Sequence, residues 1–383
     1  MKYLLVICLC FALFSCQEKR IVGSSYQLKA TDKYYHLTLD DNTYVPLKNI
    51  SYFQERGNEY IVFINRQSTE LLIYNLLTGK LVKKLSYQKE GQGGIVKEIG
   101  DFNVQSLNEI YLSSPYTKIL YKSDGEGIIT NTYDYSKSIT GEPLTPILSS
   151  MGRLELIEGE FYLTQNLNRI YGEDTFEKSS LSAILDTTTL QVKHSIIKYS
   201  PMVSWKDMGT SGFGYQYRRT FDGTHFIYSF LYKDMLYKVS RDHKQIESVQ
   251  VKSQYIPEIK VNDLSTDDFK KILKLTCEEP TYEDIVYDKY RKVYYRFACP
   301  PTSVDEEEDL LEVIRFGKKQ FSIIILDQNL KKIGETLFPE YTYVPTAYFI
   351  REDGLYLSCS HFKNPDYSDD VLCFQKIELI GKE

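Results

Sequence analysis

One unit recurs along this chain and constrains its fold more than any single segment does. A strand is followed by a short polar turn, a second strand, an apolar run closing on Asn, Asp or Ser, a tight turn and a final strand. It reads EYIVFINRQSTELLIYNLLTGKLVKKL, then EIYLSSPYTKILYKSDGEGIITNTY, then EFYLTQ with LSAILDTTTLQVKHSII. Later copies are HFIYSFLYKDMLYKVSRDHKQIESVQV, VYYRFAC with FSIIILDQNLKKIGETLF, and LYLSCSH with VLCFQKIEL. The runs are short, alternating and rich in β-branched and aromatic residues, including 33 Tyr, so strands dominate. The repeats predict an all-β chain forming a six-bladed β-propeller of four-stranded antiparallel blades, with seven blades as the alternative count. A closed ring hides the sheet edges that such strands would otherwise expose.

The last copy lacks a fourth strand, while KYYHLTLDD near the start supplies a strand without a blade. Residues 34–39 are therefore expected to close the last blade and latch the ring. Helical periodicity occurs once, in NDLSTDDFKKILKLTCEEP. There Ser265 is the expected N-cap, Phe269, Ile272, Leu273 and Thr276 share one face, and Pro280 stops the turn.

The first residues, MKYLLVICLCFALFSC, place one cation before an apolar run too short to span a bilayer. Leu13, Phe14 and Ser15 before Cys16 fit a bacterial lipobox, although Phe14 is bulky for its place; an ordinary secretory signal is the alternative. The expectation is a signal peptide over 1–16 with Cys16 lipidated, a tether over 17–28 and a propeller over 29–383. That places the protein in the cell envelope as a monomeric outer-membrane lipoprotein. Cleavage removes only Lys2 from a net charge of −6, leaving −7, so no basic surplus recruits nucleic acid. Export permits disulfides. Two alternating runs flank the polar loop around Asp366 and set Cys359 opposite Cys373, a candidate bridge; no register supports pairing Cys277 with Cys299.

The order EGQGGIVKEIGDF, SLNEIYLSS, KILYKSDGEGII resembles the blade signature of six-bladed propeller lipoproteins of Bacteroidota, similar to NHL-type propellers. Those families carry a Gly-rich segment, then an Asp-x-Ile-Tyr-Val strand, then a strand ending at Asp-Gly, and several are domains of unknown function. This chain departs from them where Gly94 directly follows Gly93 in place of the usual Pro. The resemblance implies the fold and little about chemistry.

Loop lengths are unequal between the two rims of such a ring. Turns within NLLTGK, SDGEG, DTTTL, RDHKQ, DQNLK, FDGTH and REDGL are short, and all fall on one rim. The other rim takes 136–152, 167–180, 199–216, 252–281, 299–319 and 362–370, and loops of that length are usually functional or disordered. That rim is the expected binding face. Within it, SPMVSWKDMGTSGFGYQYRRTF carries the single Trp, Trp205, with Lys206, Tyr215, Tyr217, Arg218 and Arg219. Flat aromatic faces and forked donors suit glycans, carboxylates or peptides; core packing is the alternative. The acidic runs Asp305 to Asp309 and Asp366, Asp369, Asp370 lack EF-hand spacing, so calcium is unsupported and no cofactor is expected.

Catalytic signatures are missing. Gly209-Thr210-Ser211-Gly212 misses the nucleophile-elbow spacing, and His36, His194, His225, His243 and His361 are scattered without a zinc motif. The glycines Gly91, Gly93 and Gly94 lack the Lys-Ser/Thr and the helix of a phosphate loop. The expectation is a non-catalytic binder of a glycan, peptide or protein. The alternative is a glycan-active hydrolase or lyase on the same face, which would show two carboxylates across an axial cleft.

Overall fold

The computed structural model describes residues 25–382 apart from 46–48, 66–67, 89–93, 96, 149–150, 168–173, 210–211 and 260–267. Cys16, Gly91, Gly93 and Ser265 thus lie outside the described residues.

The apolar runs of the repeat become strands buried on both faces. In Asn58–Ile64 and Glu70–Asn75, Ile61, Phe63, Leu72 and Tyr74 pack to one side. Tyr60, Val62, Leu71 and Ile73 pack to the other. Successive strand residues point to opposite faces, so a run without polar interruption is what a sheet sandwiched between two others requires.

Four antiparallel four-stranded sheets follow chain order over 51–86, 101–134, 155–194 and 217–250. An eight-stranded sheet holds the rest: four strands over 281–337, and four more formed by Val344–Arg351, Gly354–Ser358, Val371–Gly381 and the N-terminal strand Tyr26–Thr38. These halves meet at one parallel pair, Tyr26 with Gly334. A separate apolar cluster lies between each sheet and the next. A last cluster joins Phe349, Tyr356 and Phe374 to Ile61, Phe63 and Tyr74, so the stack closes on its own first sheet. That closure defines a β-propeller.

The N-terminal strand does close the C-terminal strands, pairing Thr38 with Val371 and, past a bulge, Tyr26 with Gly381. It starts earlier than the expected residues 34–39, and Tyr26 to Leu28 belong to the sheet. Two glycines receive it. A Cβ on Gly334 would stand 2.2 Å from the Tyr26 carbonyl oxygen, and one on Gly79, at φ +67°, would stand 2.1 Å from that of His36. The strand is thereby wedged between neighbouring sheets, and Lys382 N–H donates to Ser25 O at 2.9 Å, holding the start of this strand to the end of the last one.

The single helix expected from sequence is corrected to three among the described residues: α1 (Thr175–Lys178), α2 (Phe269–Glu278) and α3 (Leu310–Phe316). In α2 the N-cap is Asp268, whose side chain accepts from Lys271 N–H; Cys277 is its buried residue, while Phe269 is exposed. The α3 helix follows the acidic run that reads as a loop. Asp309 caps it by accepting from Leu311 and Glu312 N–H, Leu310, Val313 and Phe316 are buried, and Gly317 at φ +115° ends it.

Every long insertion lies on one rim. Connections 135–154, 165–181, 195–216, 251–280, 300–321 and 359–370 join second to third strands or one sheet to the next, and the opposite rim carries short turns. Cys359 N–H donates to Cys373 O at 3.0 Å, so the two cysteines are cross-strand neighbours as the register argument required; both thiols are free. Cys277 and Cys299 are buried in different clusters.

Candidate functional site

First strands lie innermost and side by side: 217–221 beside 281–288, 281–288 beside 344–351, 344–351 beside 51–55, and 51–55 beside 101–106. Second and third strands are covered on both sides, whereas first strands border a narrow axial space and so admit polar residues. Arg153, Glu155, Arg218, Asp284 and Tyr348 line an axial cavity of about 140 Å³. Above it on the insertion-rich rim lies a second cavity of about 200 Å³. Residues of α2 and α3 wall it, and Arg218 and Thr346 line both. The two form a funnel from the rim to the axis.

Burial dominates the electrostatics. It pushes Asp101 up to about 7, although its carboxylate accepts from Phe102 N–H at 2.9 Å and Leu154 N–H at 2.7 Å. Glu155 and Asp284 are also raised by burial, with Arg219 opposing the rise at Glu155 and Arg218 at Asp284. The Arg153 guanidinium opposes it at all three carboxyls and lies 5.8 Å from the Tyr348 ring. Tyr348 donates to Asp284 Oδ2 at 2.8 Å. Among the described residues, the side chains of Arg153, Arg218 and Glu155 make no hydrogen bond and no ion pair. A guanidinium carries five donors, and two such groups facing one cavity match a carboxylate or another oxyanion.

The six residues expected from the Trp205 segment do not converge. Arg218 and Arg219 both line the axial cavity, but of the two only the Arg218 side chain makes no hydrogen bond. Trp205, 48% exposed, heads a short 3-10 turn on the rim, edge-on to Phe176 at 5.0 Å, beside exposed Lys206; it lines neither cavity. Tyr215 and Tyr217 are buried in one apolar cluster, and Tyr217 donates to Leu181 O at 2.6 Å. Arg219 is buried, donating to Ser182 Oγ at 3.1 Å, Tyr228 Oη at 3.3 Å and Tyr162 O, which ties its sheet to the preceding one. Strand alternation explains the division: neighbours in YRRTF face different environments. Sequence reasoning missed Asp101, Arg153, Glu155, Asp284 and Tyr348. Their signal was a charged or hydroxyl-bearing residue in or beside the innermost strand of successive repeats. Among the described residues no group of three His, Cys, Asp or Glu is placed to hold a metal ion.

Fold and site together define a β-propeller with a charged axial funnel. The chain belongs to the DUF4221 family, a domain of unknown function whose profile matches residues 25–337. A crystal structure of a DUF4221 member from Bacteroides vulgatus superposes with a TM-score of 0.80 at 24% identity, covering 94% of this chain and 99% of that one. A putative exported protein from Bacteroides fragilis superposes at 0.54 with 12% identity, covering 92% and 95%. These likenesses support the fold and the expected kinship with propellers of Bacteroidota. Comparison with curated proteins finds no match.

Proposed function

We propose that the protein is an exported, lipid-anchored, non-catalytic binding protein of the cell envelope. On this reading it is a six-bladed ring that takes the carboxylate end of a glycan, peptide or protein ligand into its axial funnel. The observation that carries the reading is the pair Arg153 and Arg218, whose side chains face the axial cavity without a hydrogen-bond or ion-pair partner among the described residues. Leaving two guanidinium forks unmatched there makes sense if an incoming oxyanion completes them. Trp205 and Lys206, exposed on the same rim, are outer contacts; Tyr215, Tyr217 and Arg219 fix the strand that carries Arg218. The count of six is supported by dividing the eight-stranded sheet at the Tyr26 and Gly334 pair, since each half then has four strands like the other sheets.

The leader ending at Cys16 and the exported relative support export, and no helix among the described residues is long and apolar enough to cross a membrane. Lipid on Cys16 would tether the ring by nine residues to Ser25, a reach of at most roughly 30 Å. Ser25 and Lys382 lie on the short-turn rim. The insertion-rich rim then points away from the bilayer, open to ligands.

The test is binding of uronate-bearing oligosaccharides and acidic peptides on an array to wild type, Arg153→Gln and Arg218→Gln. Loss of one charge-assisted fork is expected to weaken binding about ten- to a hundredfold. Equal binding by both folded variants refutes the reading. A hydrolase or lyase is favoured by one observation, that Glu155 and Asp284 line the same cavity with both carboxyls raised by burial. In that case Glu155→Gln abolishes product formation from a bound glycan while leaving binding intact.

A further inference from the structure

A larger cavity, about 380 Å³, opens on the same rim away from the axis. Three insertions build it: the connection 135–154 contributes Thr145, 165–181 contributes Asn166 and Ser179, and 195–216 contributes Lys198 beside His194 at a strand end. Its size lies within the range of small-molecule sites. Three residues of its wall each carry a buried polar atom that finds no hydrogen-bond partner: Asn166 Oδ1, Ser179 Oγ and His194 Nδ1. Ser179 is 8% exposed. A buried polar group left unmatched costs about 1–3 kcal/mol, so three around one space are unexpected unless something enters to meet them.

The unmet groups are uncharged. Burial lowers the His194 pKa, so the imidazole is neutral at neutral pH and Nδ1 donates or accepts according to its tautomer. Asn166 Oδ1 accepts, and the Ser179 hydroxyl does both. The cations at the wall already have partners: Lys178 pairs with Asp174, and Lys198 Nζ donates to Ser180 Oγ at 2.9 Å. An acceptor, an amphoteric hydroxyl and an imidazole nitrogen suit vicinal hydroxyl groups, which donate and accept at once. From these groups we infer that the cavity is a saccharide-binding site that takes a neutral sugar unit through its hydroxyls. The inference rests on the reading of the insertion-rich rim as the binding face and names a ligand class for it.

The test uses a panel of neutral mono- and disaccharides, including glucose, galactose, mannose and their β-linked dimers. Binding is read by saturation-transfer NMR and calorimetry on wild type, Ser179→Ala, His194→Ala and Arg218→Gln. Removing one hydroxyl or imidazole is expected to weaken sugar binding about tenfold, while Arg218→Gln leaves it unchanged. Ser179→Ala deletes a single oxygen, so it tests the site even if His194→Ala fails to fold. No panel sugar binding at millimolar concentration overturns the inference, as does full binding by Ser179→Ala. So does a sugar-soaked crystal with only ordered water on the three atoms. Loss of binding in Arg218→Gln alone also overturns it, while leaving the axial reading in place.

Discussion

Asp101 offers a test of how the axis is held together. Its side chain is 1% exposed, and both carboxylate oxygens accept backbone N–H groups, from Phe102 and Leu154. Burial nevertheless pushes its pKa from 3.8 up to about 7. The unfolded chain therefore releases this proton near pH 4, while the folded chain keeps it until about pH 7. Stability from this group is fully present below pH 4, falls as pH rises through that window, and is flat above it. At 1.36 kcal/mol per pH unit, the loss is about 4 kcal/mol.

Asp101→Asn cannot ionise, and it turns an amide NH₂ toward one of the two N–H donors, a pH-independent cost of about 1–3 kcal/mol. Near pH 4.5 the wild type is expected to be the more stable; by pH 8 the order reverses. Urea unfolding of both proteins at several pH values measures the difference. His243 and His361, each pushed down to about 4 by burial, add the opposite slope between about pH 4 and 6.5, but they are common to both proteins and cancel in the difference. A gap between the two proteins that stays constant within about 0.5 kcal/mol from pH 4.5 to 8 would refute this account of the axis.

Two further outcomes follow from the ring closure and the cysteine pair. Gly334→Ala drives a methyl into the Tyr26 carbonyl, and removal of residues 25–41 deletes the closing strand. Both are expected to lower the melting temperature of the whole ring in one transition, and an unchanged temperature would contradict the latch. Under the oxidising conditions of export, Cys359 and Cys373 are expected to form a bridge worth about 3 kcal/mol, judged from the short loop it closes. A non-reducing peptide map with both thiols free speaks against it.

Local sequence determined a good deal of this protein. Apolar runs such as YIVFI and LLIY, short and rich in β-branched and aromatic residues, fit strands covered on both sides, and their recurrence with short turns between them implied stacked sheets. The spare strand near the start and the missing strand at the end implied closure. Loop lengths, readable directly, separated the two rims. The second amphipathic helix was also legible, since Asp309, Leu310, Val313, Phe316 and Gly317 carry its cap, face and stop, but the acidic run before it masks the signal.

Only the tertiary structure decided the site. Asp101, Arg153, Glu155, Arg218, Asp284 and Tyr348 come from five of the four-stranded runs and meet because the ring brings their first strands to one axis. Alternation shows that Arg218 and Arg219 face apart; it cannot show which one is left unpaired at the axis and which one is bonded into the preceding sheet. Pleat is a local property of the backbone. The identity of the environment on each side is fixed by closure, which joins residues some three hundred positions apart.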